Sequence, residues 1–413
     1  MQIQNKSIFK GEKKMKKLYK ILSVVLCAIL VVMSFAACAP QEDNTPHKIA
    51  VMQNAADEAA LSQKKYLEEY VGPYFNCEFV FSEVYQSEDK ALTFIEQAKS
   101  AGCEAVISFY ANFQDTIINA CEEYGMYVIT NSSTAPSIEA SYDLGRITTP
   151  TENTVSSYKT LVQNVIKDGK NHNFVLCSGG AAGARSNQHL QTTIAVLEML
   201  QENYNVNFGV DIKEVAKTQV GTELTAGDIS VYIYPGFPNA NYATGFQNVL
   251  QTGDGKYDVV LVVAPFYSQI MNPIKQVEQA KNMDVKLISL ATIDDNTKAA
   301  FESGALDGAV INPTNMLIGE MFAVVYNALQ GHADVIRENG KPGSYPTVKW
   351  ACESAEEYAK IAKIDVEEGL YSLTVEQIEE CLISKNSKID ANYLKDYFGK
   401  LDAKYTIDNV FGK

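Results

Sequence analysis

The sequence predicts an α/β fold in which two doubly wound parallel sheets form two lobes. Short apolar strands alternate with amphipathic helices along residues 47–331, and the loops between them are short, which is the pattern of parallel sheets covered by helices. Residues 141–152 interrupt this alternation with an extended stretch, so we expect the chain to cross there from the first lobe to the second. Ligands of such sheets bind beyond the carboxyl ends of the strands.

Residues 1–37 have the pattern of an export signal, because lysines precede an apolar run from Ile21 to Met33 and small residues end the segment. The run is barely long enough to cross a bilayer as a helix. The four residues that end in Cys38 (FAAC) are similar to a bacterial lipobox, in which the cysteine is lipidated and becomes the mature N-terminus. An uncleaved membrane anchor is the alternative, and Met15 is an alternative start.

The mature chain is predicted to be strongly acidic. Residues 1–37 contain seven lysines and one glutamate, so their removal changes 35 basic and 50 acidic residues to 28 and 49, a formal net charge of −21. This charge argues against a nucleic-acid partner and against contact with anionic lipid beyond an acyl anchor. Residues 38–46 are a short polar tether, and the length that follows is enough for two domains of about 100–200 residues each.

The first lobe is predicted to comprise residues 47–145 and 313–340. Its helices end at glycines, as at Gly102 and Gly125, and turn-forming residues separate its strands. The predicted strands are 48–52, 78–84, 105–109 and 126–130, and the predicted helices are 57–70, 87–100, 115–124 and 316–329.

Amides, hydroxyls and aromatic rings follow the strands of the first lobe. The candidates for ligand binding at these strand ends are Asn54, Tyr110, Asn131 and Ser132. Each of them could equally serve as a turn residue. The same chemistry after four consecutive strands nevertheless favours a polar pocket whose walls form hydrogen bonds.

The second lobe is predicted to comprise residues 146–312 and 341–352. The predicted strands are 173–177, 211–217, 230–234, 259–264, 287–290, 309–311 and 347–350, and the predicted helices are 155–168, 189–203, 241–252, 268–282 and 297–303. Residues 353–413 form a helical extension with two helical runs, 375–383 and 391–401, and no visible catalytic motif.

The stretch 287–331 contains the most informative order of residues. A strand leads to an acidic turn at Asp294, a helix ends at Gly304, a second strand ends at Asn312, and the next helix is entered through Gly319. This order resembles the late portion of the type I periplasmic binding proteins, the group of the ribose-binding and galactose-binding proteins. The resemblance implies two lobes joined by a hinge of three crossovers, with Asn312 at the hinge and Asp294 as an acidic ligand contact. An N-cap is the alternative role of Asp294.

A glycine-rich loop, residues 178–185, follows the strand 173–177. It is not GxGxxG, and no GKS or GKT follows it, which argues against a nucleotide cofactor. In the family that the chain resembles, this loop carries an arginine that binds polar oxygens of the ligand. Arg185 occupies the corresponding position here. A planar guanidinium suits vicinal hydroxyls or a carboxylate, whereas an ordinary surface arginine is the alternative.

Aromatic side chains also lie past strand ends in the second lobe. Phe237, Phe266 and Tyr267 are the candidates to stack on the apolar face of a sugar ring. Tyr232 and Tyr234 alternate within a predicted strand, which favours packing in the core.

Neither a metal site nor a catalytic site is predicted. The four histidines are scattered, and the cysteines form no CxxC pair. Several cysteines lie in apolar runs and are expected to be buried thiols, although the spacing neither specifies nor excludes disulfides. No Ser/His/Asp set and no paired carboxylates can be assigned to strand ends, so we expect a protein that is not an enzyme and has no cofactor.

These observations predict a monomeric, lipid-anchored, extracytoplasmic solute-binding protein. It would capture a small polar ligand, a sugar or related polyol, between two lobes and deliver it to an ABC permease. A receptor lipoprotein that signals to a membrane sensor is the alternative function. A nucleoside, an amino acid or an autoinducer would fit the same loops.

Overall fold

The computed structural model describes residues 45–85, 87–167, 169–179, 187–218, 220–366 and 372–401. The predicted signal and tether, except for residues 45–46, and Cys38 therefore lie outside the described residues. Among the described helices, none is both long and apolar enough to cross a membrane. The described strands are β1 His47–Met52, β2 Cys77–Phe81, β3 Ala105–Ser108, β4 Tyr127–Asn131, β5 Asp143–Thr148, β6 Asn173–Gly179, β7 Glu223–Ala226, β8 Ile229–Pro235, β9 Val259–Val262, β10 Lys286–Ala291, β11 Gly308–Ile311, β12 Gly343–Pro346 and β13 Trp350–Cys352.

Helices connect most of these strands. The described α-helices are α1 Glu58–Lys65, α2 Gly72–Phe75, α3 Glu88–Ser100, α4 Gln114–Tyr124, α5 Thr151–Ile166, α6 Asn187–Tyr204, α7 Ile212–Thr218, α8 Tyr242–Thr252, α9 Met271–Lys281, α10 Asp295–Glu302, α11 Asn315–Asn327, α12 Ala333–Ile336, α13 Ala355–Val366, α14 Val375–Glu380 and α15 Ala391–Gly399. Two π-helical segments, Tyr66–Val71 and Ala328–His332, continue α1 and α11, and a short 3-10 helix, Tyr267–Gln269, precedes α9.

The strands form two separate sheets. The first sheet has the order β12-β5-β4-β3-β1-β2, and all its neighbours are parallel. The second sheet has the order β13-β11-β10-β9-β6-β8-β7, in which only the edge strands β13 and β7 pair antiparallel. Two doubly wound α/β lobes are therefore confirmed.

Central strands of both sheets are apolar along most of their length. Every residue of β3, β9 and β11 is buried, because helices cover both faces of a parallel sheet and leave no side of the strand in water. At Gly145 in β5 the backbone of Gly343 approaches so closely that a Cβ would lie 2.0 Å from the Gly343 carbonyl oxygen. Only glycine allows β12 to pair at that point, where φ is +113°.

The chain crosses between the sheets three times within the described residues. It leaves the first sheet after β5, returns after β11, and crosses again between β12 and β13. Our predicted boundaries were wrong at the first and last crossings. Residues 141–152 include β5, a strand of the first sheet, and residues 341–352 are divided, since β12 pairs with β5 while β13 pairs with β11.

Residues 211–217 were predicted as a strand, and that prediction was wrong, because they lie largely in the helix α7. The apolar residues Ile212 and Val215 are three positions apart, which is the spacing of one helix face. Val215 is buried in the core of the second lobe.

The C-terminal extension is packed into the fold, and it contains α13, a helix that the sequence did not predict. Fully buried Asp365 in α13 accepts hydrogen bonds from the backbone N–H groups of Thr314 (2.5 Å), Asn315 and Met316 (3.2 Å each). These amides lie at the start of α11, where they have no partners within their own helix. The carboxylate therefore caps α11 where the chain re-enters the first lobe.

The same helix, α13, also contacts the second lobe. The Tyr358 hydroxyl accepts from Asp294 N (2.9 Å) and donates to Asp294 O (2.8 Å). Further along, Leu373 O accepts a hydrogen bond from the Tyr66 hydroxyl at 2.6 Å. Apolar residues of α14 and α15 are buried in the core cluster that includes the first lobe, so the extension connects both lobes around the hinge.

The six described cysteines are buried, as the apolar runs predicted for several of them. Burial raises the pKa of Cys177 and of Cys352 to about 12 in each case. Both thiols therefore stay protonated and act as small apolar side chains.

Candidate functional site

Two adjoining cavities of about 340 and 400 Å³ lie between the lobes. They share the lining residues Asn54, Phe109, Asn131, Asn312, Pro313 and Leu317. Strands of both sheets end at these cavities, which is where ligands bind in doubly wound folds.

All three crossings contribute to the smaller cavity, which we call the hinge cavity. Its lining includes Thr148 and Thr149 from the first crossing, Asn312 and Pro313 from the second, and residues 347–349 from the third. A ligand in this cavity would touch each segment that must bend when the lobes move. The predicted position of Asn312 at the hinge agrees with its place in the structure.

Four predicted residues line the hinge cavity, namely Asn54, Asn131, Ser132 and Asn312. The Asn54 side-chain amide donates to Phe109 O (2.9 Å), and that of Asn131 donates to Ile147 O (3.2 Å). Each bond fixes the side chain and leaves the amide oxygen able to accept. Ser132 is nearly buried, and its hydroxyl donates to Thr134 O at 3.0 Å.

Lys349 is the one charged residue among the described residues that line the hinge cavity. Its backbone is fixed to α5, because Lys349 N donates to Asn153 Oδ1 (2.7 Å) and Lys349 O accepts from the Ser157 hydroxyl (3.5 Å). Only 7% of the residue is exposed. Burial lowers the pKa of Lys349 to about 8, so the ammonium is mostly protonated at neutral pH.

Burial is the only cause of the shift in the Lys349 pKa, so no described carboxylate compensates its charge. Burial, with a smaller effect of the Lys349 charge, lowers the pKa of His189 to about 4, so this imidazole is neutral at pH 7. Burial also raises the pKa of the fully buried Glu320 carboxyl well above its usual range, although nearby Thr347 opposes this shift, which favours the neutral form. The hinge cavity is therefore a polar site with a positive charge.

Tyr110 and Tyr267 were predicted to contact ligand, but the structure places both in the core. Tyr110 is 3% exposed, its hydroxyl accepts from Tyr85 N at 2.5 Å, and its ring stacks on Phe113. Tyr267 is 6% exposed and its hydroxyl lies 2.8 Å from Thr297 Oγ1. Each ring buries more apolar area by turning beneath its loop than by facing the cleft.

Asp294 has the alternative role, that of an N-cap. Its carboxylate accepts from Thr297 N (2.7 Å) and from the Thr292 hydroxyl, and it lines neither cavity. The next residue, Asp295, donates its backbone N–H to Glu58 of α1 at 2.6 Å, so the acidic turn joins the two lobes. The Asp294 side chain therefore caps the N-terminus of α10 and stabilises the fold.

The remaining predicted residues lie beside the cavities or outside the described residues. Phe237 and Phe266 have ring centroids 5.9 Å apart, and Phe237 also contacts His189 at 5.3 Å. Neither phenylalanine lines the two cavities. Arg185 lies outside the described residues, so its predicted role stays a prediction.

Sequence reasoning missed Lys349 and Gln188. Gln188, at the start of α6, lines the hinge cavity and donates to the Thr154 hydroxyl. A lysine within the apolar segment 345–352 was a visible signal, because charged residues are rarely buried without a partner. No group of three or more metal-ligating side chains occurs among the described residues.

Comparisons with known proteins identify the fold. No protein-family model and no curated protein matches the sequence. An arabinose-binding protein from Geobacillus stearothermophilus superposes with a TM-score of 0.54 at 12% identity, covering 77% of this chain and 99% of that one. An ABC transporter solute-binding protein from Bacillus halodurans with bound myo-inositol gives 0.51 at 15% identity, with 78% and 99% covered. One from Actinobacillus succinogenes with bound D-allose gives 0.51 at 11% identity, with 76% and 99% covered.

At such identities the likeness concerns the fold. The chain has the two-lobed fold of the type I periplasmic binding proteins. Its two sheets and its three crossings agree with that fold. Its cavities lie between the lobes of that fold.

The buried charge of Lys349 should make stability depend on pH. The pKa is about 8 in the folded protein and 10.5 as its ordinary value, so the unfolded chain binds more protons between these values and stability rises with pH there. Lys349→Met, which keeps the aliphatic stem and removes the charge, should therefore raise the free energy of unfolding at pH 7. Its advantage over wild type should shrink by about 2 kcal/mol between pH 7 and pH 9.5.

Denaturant unfolding of the ligand-free protein across this pH range measures the difference. The same substitution at the exposed Lys388, Lys388→Met, supplies the control. A Lys349→Met advantage that does not change with pH would contradict an ammonium held in a desolvated site.

Proposed function

We propose that this chain is an extracytoplasmic solute-binding protein that takes a small polar ligand, a sugar or related polyol, between its lobes. The observation that carries the proposal is the hinge cavity, whose polar lining comes from the strand ends of the first lobe and from all three crossings. A ligand that contacts these segments stabilises one arrangement of the lobes over others. An ABC permease that reads this arrangement would receive the ligand.

The chemistry of the lining supports a hydroxyl-rich ligand. Amide and hydroxyl groups predominate, contributed by Asn54, Asn131, Ser132, Ser133, Thr148, Thr149, Gln188 and Asn312. Such groups both donate and accept, as hydroxyls do. The three solved structures of the same fold are named for arabinose binding or contain bound myo-inositol or D-allose, which supports the same class of ligand here.

We also propose that the protein is held at the membrane by a lipid on Cys38. Support comes from the sequence, in which basic residues, an apolar run and small residues lead to this cysteine. The first strand, β1, begins at His47, so only a short polar stretch of sequence would separate it from the lipid. The ligand-binding lobes would then work close to a permease in the same membrane.

A thermal-shift screen of the domain without its signal tests ligand binding. Sugars, polyols, sugar acids, amino acids and nucleosides form the panel, because a ligand that binds the folded state raises the melting temperature by mass action. Ala111 is exposed at the wall of the hinge cavity. Ala111→Trp should fill the cavity and remove the shift given by any active compound, while the melting temperature of the free protein stays nearly unchanged.

The matched control is Ala101→Trp, at an exposed position just after α3 and outside both cavities. It should respond to ligand as the wild type does. Equal ligand shifts in Ala111→Trp and wild type would place binding elsewhere, and a panel without any active compound would contradict the proposed ligand class.

The anchor is tested by Cys38→Ser in the full-length chain. A serine cannot be lipidated, so the variant should accumulate as an uncleaved precursor or be released into the medium, whereas wild type stays with the membrane fraction. Fractionation and the mass of the mature N-terminus provide the measurement. Normal processing with full membrane retention of Cys38→Ser would show that lipid on this residue is not the anchor.

A further inference from the structure

We infer that the ligand of the hinge cavity carries an anionic oxygen group that pairs with Lys349, as in a sugar acid. The inference rests on the proposed function, because it assumes that a small hydroxyl-rich ligand occupies this cavity. It goes further by assigning the ligand a negative charge and Lys349 the role of its counter-ion.

The first argument is the missing partner of Lys349. The residue is 7% exposed and lines the hinge cavity, and it forms no ion pair with any of the described carboxylates. A buried ammonium without an anion is unfavourable, since water no longer solvates the charge. The Lys349 ammonium therefore lacks a counter-ion, and a ligand in this cavity can provide one.

The second argument is that the four buried carboxyl groups of the described chain have other partners or a raised pKa. Glu357 accepts from Glu353 N at 2.8 Å. Asp365 accepts the backbone amides of α11 and the Ser372 hydroxyl. Asp143 accepts from Gly145 N at 2.8 Å, and the positive charges of two arginines favour its ionised form. Burial raises the pKa of Glu320 well above its usual range, which favours its neutral form. None of these four groups compensates the charge of Lys349, because burial is the only cause of the shift in its pKa.

The third argument is the composition of the hinge cavity. Its described lining contains no aspartate and no glutamate, so an anionic ligand meets no like charge. Hydroxyl and amide donors from Ser133, Thr149 and Gln188 lie on the same lining. Charge-assisted hydrogen bonds from an ammonium and neutral donors are strong with carboxylate and phosphate oxygens, whereas a neutral sugar would leave the ammonium without a counter-ion.

The size of the cavity limits the ligand. A volume of about 340 Å³ is at the lower end of the range of small-molecule sites. A monosaccharide acid is the class that combines hydroxyls for the amides with one anionic group for Lys349. A sugar phosphate presents the same kind of anionic oxygens, so the experiment has to separate the two.

Matched pairs of compounds test the inference by calorimetry at pH 7. The pairs are D-glucose with D-glucuronate and D-galactose with D-galacturonate, together with D-glucose 6-phosphate and inorganic phosphate. We expect the acid of at least one pair to bind about 30-fold more tightly than its neutral partner, as for a buried charge pair. Tighter binding of the 6-phosphate than of either uronate would identify phosphate as the anionic group.

Lys349→Met should lose this preference, whereas Lys388→Met, at an exposed position, should keep it. The melting temperature of each free protein is measured in parallel, to verify that every variant compared is folded. In the wild type alone, the affinity for the acid should fall above pH 8, by about 30-fold in total as Lys349 loses its proton, while that for a neutral sugar stays constant. His189 on α6 remains neutral in this range, and Asn153 and Ser157, which α5 presents to the Lys349 backbone, do not titrate.

The outcomes separate the inference from the function on which it rests. Neutral sugars that bind as tightly as their acids, or acids that bind Lys349→Met as tightly as wild type, would overturn the anionic ligand and leave a solute-binding protein. If neither sugars nor acids nor any compound of the wider panel binds, the proposed function fails and the inference fails with it.

Discussion

The direction of the strands is the constraint on which the rest of this structure depends. In both sheets the central strands are parallel, so the polar residues that follow them gather at one edge of each sheet. The three crossings bring these two edges together, and the hinge cavity is lined from all three. In the function that we propose, binding and hinge bending are therefore located in the same segments, which lets a bound ligand select one arrangement of the lobes.

Lys349 connects the electrostatics of the site to this architecture. It lies on the last crossing, fixed to α5 through its backbone, and it lines the cavity without a described carboxylate partner. A fold that keeps an uncompensated charge in a cavity loses stability when the cavity is empty. With the anionic ligand that we infer, the same arrangement gives selectivity, because pairing with the anion recovers the stability that the free protein loses and a neutral compound of similar size does not.

Much of the fold and part of the site were predictable from sequence. Buried parallel strands are continuous apolar runs, so their ends were visible, and Asn54, Asn131 and Asn312 follow such ends and line the cavities. Tyr110 and Tyr267 also follow strands, but an aromatic ring in a loop can turn inward. Both rings are packed in the core and do not face the cleft. The electrostatic role of Lys349 depends on which groups from the two lobes surround it, and the local sequence does not contain that information.

The extension adds a further condition to any closing motion, because α13 holds Asp294 through Tyr358 and α11 through Asp365. The Asp365 contact lies beside the second crossing, so a movement of the lobes about the crossings has to keep this contact or break it. Small-angle X-ray scattering of the domain, with and without the compound that stabilises it most, tests the central claim that ligand binds between mobile lobes. The account predicts a smaller radius of gyration with ligand. An unchanged radius at confirmed saturation would contradict it.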